Sequence, residues 1–114
     1  VIERLSGHHP RDISISVVTE FELLQGAARA PAARRDEEHR KVLRFASFLH
    51  IAGFDSECAA HAARVNAHLL NQGTPVSITD VFIGATALRL DCILVTNNTR
   101  DFVKMPGLQL EDWH

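Results

Sequence analysis

Three carboxylates stand where chemistry could be done: Glu22 in TEFELLQG, Asp80 in SITDVFIGATALRL and Asp101 in LVTNNTRDF. Carboxylates brought together repel one another, so a fold tolerates them only when one is protonated or a cation sits among them. Carboxylate, hydroxyl and amide oxygens are hard ligands for an ion of the magnesium type, and Thr96, Asn98 and Thr99 supply such oxygens beside Asp101. As an outer polar layer, these three could orient the ligands or an attacking water. Metal held this way generates hydroxide from water and neutralises a phosphodiester oxygen, so the chemistry to expect is phosphodiester hydrolysis. Each acid also has a local reading. Thr19 with Glu22, and Ser77 with Asp80, have the spacing of a helix capping box, and an acid in a loop, as Asp101 is, needs no explanation. Only joint placement at one edge of a sheet separates the two readings.

That placement depends on the elements around the acids. Cys92 to Val95 is a continuous apolar run of strand length, the pattern of a parallel strand covered on both faces. Active surfaces of open α/β sheets lie beyond the carboxyl ends of the strands, and Thr96 to Asp101 occupy one such end. Upstream, Thr79 and Asp80 open a helix in which Ile83, Gly84, Ala87 and Leu88 recur at helical spacing, so Asp80 falls in its first turn. Ile13 to Val18 reads as a short strand feeding a helix capped by Thr19 and ended by Pro31, which sets Glu22 one step beyond the same edge. The charged segment RRDEEHRK leads into a second helix with an apolar stripe of Val42, Phe45, Ala46 and Leu49, and the two helices form an antiparallel pair.

Ile51 to Phe54 reads as another strand. A helix capped by Asp55 or Ser56 follows to Gln72, with Ala59, Ala63, Ala67 and Leu70 on its buried side, and Gly73 stops it. Pro106 and Gly107 turn the chain into a last edge strand at Leu108 to Leu110. Val1 to Leu5 reads as the close of a helix, followed by a loop at His8 to Arg11. Strands alternating with helices imply right-handed crossovers and a mostly parallel sheet with helices on both faces.

At 114 residues and 46% hydrophobic content, the chain can build one core and is too apolar to be disordered. A formal net charge of −2 excludes coating of nucleic acid through bulk positive charge. It leaves a metal-dependent nuclease open, because bound cations reverse the sign locally. Cys58 and Cys92 have neither CxxC nor Cys/His ligand spacing and read as small buried hydrophobes in a reduced cytosol. No helical His pair at i, i+4 supports zinc, and no nucleophile elbow, Walker loop or dinucleotide fingerprint is present. Neither a membrane-spanning apolar run nor a signal peptide occurs. Arg29, Arg34, Arg35, Arg40, Lys41 and Arg44 make the helix pair basic along part of its length, either to track an RNA backbone or for solubility and ion pairing.

Taken together and in this order, TEFELLQG, SITDVFIGATA, LVTNNTRDF and PGLQLEDW resemble the PIN-domain ribonucleases, specifically the VapC-type toxins of bacterial toxin–antitoxin pairs. The resemblance covers essentially the whole chain. It implies a PIN-like three-layer α/β sandwich with a protruding helix pair, and a Mg2+- or Mn2+-dependent endoribonuclease. Glu22, Asp80 and Asp101 match the family's catalytic, metal-holding acids, and Thr96, Asn98 and Thr99 match the polar turn beside them. The resemblance further implies a homodimer in the bacterial cytoplasm, without membrane attachment, that cuts structured RNA such as transfer RNA and is silenced by a small VapB-type antitoxin. One departure concerns the start of the chain. Family members open with a strand ending in L-D-T-N, whose Asp is a principal metal ligand, and no such strand stands here. A strand, loop and helix of ordinary length would add roughly 25 residues ahead of Val1. The single domain of residues 1–114 is therefore expected to be a fragment without its first strand and helix, binding metal poorly and left with an empty central strand position.

Two other readings remain. One is a catalytically impaired PIN-fold interaction module that binds an antitoxin-like DNA-binding partner. The other is a phosphate-receiver domain, which also clusters acids on a parallel sheet but needs a Lys near the end of its last strand, a place Lys104 fits poorly.

Overall fold

A computed structural model describes residues 2–5, 13–96 and 99–111. The strands are β1 (Ile2–Leu5), β2 (Ile13–Ser16), β3 (His50–Ala52), β4 (Cys92–Val95) and β5 (Gln109–Glu111). The helices are α1 (Val17–Ala28), α2 (Ala32–Ser47), α3 (Ser56–Asn71), α4 (Ile78–Leu90) and the short α5 (Thr99–Phe102). One sheet takes the order β3-β2-β1-β4-β5. β2 runs parallel to β3 and β4 parallel to β5, while β1 lies between β2 and β4 and is antiparallel to both. All strands except β1 thus run one way. The expected loop at His8 to Arg11 and the tail at Asp112 and Trp113 lie outside the described residues.

The centre of the sheet corrects two expectations. Residues 2–5, expected to close a helix, are extended, and the central position, expected to be empty, is theirs. Their register pairs Ile2 with Val95, Leu5 with Cys92 and Arg4 with Ile13. Without a strand there, β2 and β4 would each bury a row of unpaired amides and carbonyls. That demand outweighs the local helix preference of a four-residue segment, since propensity is a weak prior against tertiary context.

β4 shows why the sheet carries helices on both faces. Its side chains alternate between faces, yet Cys92, Leu94 and Val95 are all buried and Ile93 is half-buried. α4 is the central helix: Val81, Ile83, Gly84, Ala85, Thr86 and Ala87 are buried around most of its circumference. Gly84 permits the close packing, because a Cβ there would run into Met105 Sδ. α3 lies along α4 and α1 along α2.

The buried stripe of α3 differs from the expected one. Ala59, Ala63, Ala67 and Leu70 face solvent, and Cys58, Ala62, Val65 and Leu69 are buried. Both sets have helical spacing, but the second carries more apolar surface, which decides the face. In α2, Val42 and Ala46 are half-buried as expected, as is Leu49 just beyond the helix, while Phe45 remains 44% exposed.

The start of α1 is also displaced. β2 ends at Ser16, so Val17 and Val18 belong to the helix, and Ser16 rather than Thr19 is its N-cap. Ser16 Oγ accepts from Thr19 N at 3.0 Å and donates to Thr19 Oγ1 at 3.1 Å, with both residues buried. Thr19 is then the third helical residue, and the proposed Thr19–Glu22 capping box does not exist. Ser16→Ala should therefore lower unfolding free energy by about 1–2 kcal/mol in urea denaturation, whereas Glu22→Gln should change it by no more than about 0.5 kcal/mol.

Candidate active site

Topology brings Asp80 and Asp101 to one edge. α4 passes into β4 through Asp91 alone, which adopts the left-handed conformation at φ 54°. α4 therefore runs back along β4, and its first turn lies near the carboxyl end of that strand. α5 leaves the same end, carrying Asp101. The two carboxyls are near enough for the charge of Asp101 to act on Asp80. Burial is the main force raising the Asp80 pKa above the ordinary 3.8; a hydrogen bond from Ser77 lowers it, and Asp101 raises it again.

Local capping explains part of this arrangement. Ser77 is the N-cap of α4, and its hydroxyl accepts from Asp80 N at 3.3 Å. A second acid at a helix start supplies the contrast. Asp55 caps α3 by accepting from Cys58 N at 2.9 Å, and that bond chiefly holds its carboxyl below the usual range. Asp80 moves the other way. An acid serving only a helix start resembles Asp55; a half-buried acid facing a second carboxylate is the arrangement found where proton or cation chemistry is done.

Asp101 is a third exposed and pairs with Lys104, whose Nζ lies 3.7 Å from Oδ1. Sequence reasoning considered Lys104 only as a receiver-type lysine and missed this contact; its i, i+3 spacing from Asp101 was the available signal. Thr96 is buried at the end of β4, where its amide donates to Glu111 O of β5 at 3.0 Å. Thr99 is half-buried at the start of α5, and its carbonyl accepts from Val103 N at 2.9 Å. Asn98 lies outside the described residues.

Glu22 does not complete the cluster. It is exposed on α1, and among the described residues no three His, Cys, Asp or Glu side chains gather in a metal-holding group. The cause is the earlier start of α1. With Ser16 as cap instead of Thr19, Glu22 lies three residues further along the helix, about 4.5 Å further from the sheet edge. α1 nonetheless packs beside α4, so Glu22 and Asp80 occupy neighbouring helices.

The PIN domain family model matches residues 1–108. Over 99 residues the chain is 36% identical to the tRNA(fMet)-specific endonuclease VapC of Salmonella typhimurium, covering 87% of this chain and 74% of that protein. Its structure is similar to DNA-bound VapBC from Salmonella typhimurium, with a TM-score of 0.82 and 34% identity over 87% of this chain and 74% of the other. VapBC2 from Rickettsia felis, bound to a promoter DNA fragment, matches with a TM-score of 0.83 and 28% identity over 89% of this chain and 74% of the other. The chain belongs to the PIN-domain family and, within it, to the VapC-type toxins.

The raised pKa of Asp80 fixes a pH dependence. Its carboxyl ionises less readily in the folded chain than in the unfolded one, so its contribution to stability falls as pH rises through 3.8 and above. Asp80→Asn removes that contribution. The variant should therefore gain thermal stability relative to the parent between about pH 3 and about pH 7, read as the difference in Tm at each pH. A difference that stays constant across this range would assign Asp80 to capping alone.

Proposed function

We propose that the chain is the toxin of a toxin–antitoxin pair, a metal-dependent endoribonuclease in which Asp80 and Asp101 hold Mg2+ or Mn2+, with Glu22 on the neighbouring helix α1 as the third acid of the site. The observation that carries this reading is the half-buried Asp80 facing Asp101 at the carboxyl edge of the sheet. A magnesium-type ion is commonly bound through one or two carboxylates plus waters and a substrate phosphate, so this pair suits it. When bound, the ion supplies an activated water and neutralises charge on the phosphodiester.

The chain's own residues have separable tasks. The Ser77 cap fixes the turn that presents Asp80, and the bond from Thr96 N to Glu111 O ties down the strand end from which Asp101 follows. Lys104, beside Asp101, offers a cation to a substrate phosphate. Glu22, exposed on α1, is free of capping duty. Thr96 and Thr99 stand on either side of the passage from β4 to α5, and on the family resemblance we assign Asn98, outside the described residues, to the same polar group.

The relatives' names support RNA as substrate, and transfer RNA in particular. Single-stranded loops are the point of attack in this reading, because their bases are accessible. The structural neighbours are VapBC complexes, which supports a VapB-type antitoxin as partner. We also take the family's homodimer and bacterial cytoplasm for this chain; among the described residues no helix is long and apolar enough to cross a membrane. The gathering of two acids rather than three keeps a second reading, the impaired interaction module that binds a DNA-binding antitoxin.

In the full-length protein, Asp80→Asn should lower magnesium-dependent cleavage of total RNA at least 100-fold, roughly the effect of losing a charged group that stabilises the transition state. Magnesium should raise the Tm of the parent and leave that of the variant unchanged. An unfolded variant together with a parent indifferent to magnesium would leave the interaction module as the better account.

A further inference from the structure

Positive charge in this acidic chain is concentrated in one element. Residues 29–44 hold six of the twelve Lys and Arg and three of the fourteen Asp and Glu, a local net charge of +3 in a chain of formal charge −2. The helix that carries most of this stretch, α2, has no buried residue. Its inward stripe is Glu38, Val42 and Ala46, all half-buried. Two residues away, hence on the opposite side at 3.6 residues per turn, lies the row Arg40, Arg44 and Phe48 at i, i+4 and i+8.

This outward row has the composition of a nucleic-acid contact. Lys41 pairs with two of the three acids in the stretch, with Nζ 3.3 Å from Glu38 and 4.0 Å from Glu37, and the third, Asp36, stands one turn before Arg40 without an ion pair to it among the described residues. The side chains of Arg40 and Arg44, both exposed, have no counter-ion or hydrogen-bond partner among the described residues. Phe48, at the C-cap of α2, is 85% exposed. An aromatic ring left so open lacks the usual reason for an aromatic residue, which is burial. Two unneutralised guanidiniums in line with an open ring match a single-stranded polynucleotide: phosphates for the cations, an unstacked base for the ring.

We propose that the outward face of α2 is an RNA-binding surface, separate from the acidic edge, on which Arg40 and Arg44 contact the backbone of single-stranded RNA and Phe48 stacks a base. The proposal rests on the reading of RNA as substrate. It adds where the strand is gripped, so that α2 sets affinity for the RNA while Asp80 and Asp101 set the rate of cleavage.

The test measures binding apart from chemistry. A fluorescein-labelled single-stranded oligoribonucleotide is titrated with full-length protein in EDTA across a series of salt concentrations, and fluorescence anisotropy is read. The double variant Arg40→Gln/Arg44→Gln should reduce the slope of log affinity against log salt by about 1.4. Phe48→Ser should weaken binding about 5- to 150-fold with the slope unchanged. Glu37→Gln, which removes a negative charge from the same exposed surface, should tighten binding, and this gain cannot come from misfolding. Steady-state cleavage by the double variant should show a raised KM with kcat kept. Unchanged affinity and slope in all variants would overturn the proposal, as would a change confined to self-association or antitoxin binding, which would make the row a protein interface. Failure of the ribonuclease reading looks different: the parent would cleave no RNA, whatever the binding variants did.

Discussion

The candidate site depends on one unfavourable interaction, the repulsion between Asp80 and Asp101 at the edge of an apolar core. Neither acid has to be there for the sake of the fold. α4 is buried around most of its girth because it covers β4, and that burial takes the first turn, with Asp80, partly out of water. The single-residue passage at Asp91 fixes the direction of α4 against β4, and α5 then brings Asp101 to the same edge. A charged group so placed is tolerable when protonated, paired or matched by a cation. Lys104 answers part of that need at Asp101, where both partners are a third exposed and the pair is weak.

Much of this arrangement was legible in the sequence, and its pattern shows why. Cys92 to Val95 could be read as a doubly covered strand because apolar side chains of both parities can be buried only between two layers. The Ser77–Asp80 spacing gave the start of α4 because a cap is a local bond between near neighbours. Long-range competition was not legible. In α3 two stripes had equally good helical spacing, and what packs against the helix chose Cys58, Ala62, Val65 and Leu69 over the alanine row. At the start of α1, Thr19 was expected as the cap; β2 ends early and Ser16 caps the helix instead, which carries Glu22 further along it. Ile2–Leu5 had a helical look of its own, overruled by the unpaired backbone of β2 and β4.

These differences bear on function. Losing the Thr19–Glu22 box removes the structural explanation for Glu22 and also moves that residue outward, so its part in the site is an acid on a neighbouring helix rather than a member of a tight trio. Asp80 and Asp101 carry the site between them. The α1–α2 pair contributes in a different way, projecting exposed cations and aromatic residues where the rest of the molecule is acidic. On the proposed function, the acids at the sheet edge would hold a cation at the reacting phosphate and the basic face of α2 would hold the strand.

The most direct measurement is the pH titration of the Asp80 side-chain carboxyl followed by carbon NMR in the full-length protein, without and with Mg2+. The structure predicts a titration midpoint above the ordinary aspartate value in the absence of the ion and a marked fall when the ion is added. A midpoint at or below the ordinary value, or one that Mg2+ leaves in place, would contradict the claim that the sheet edge holds these carboxylates together for a cation.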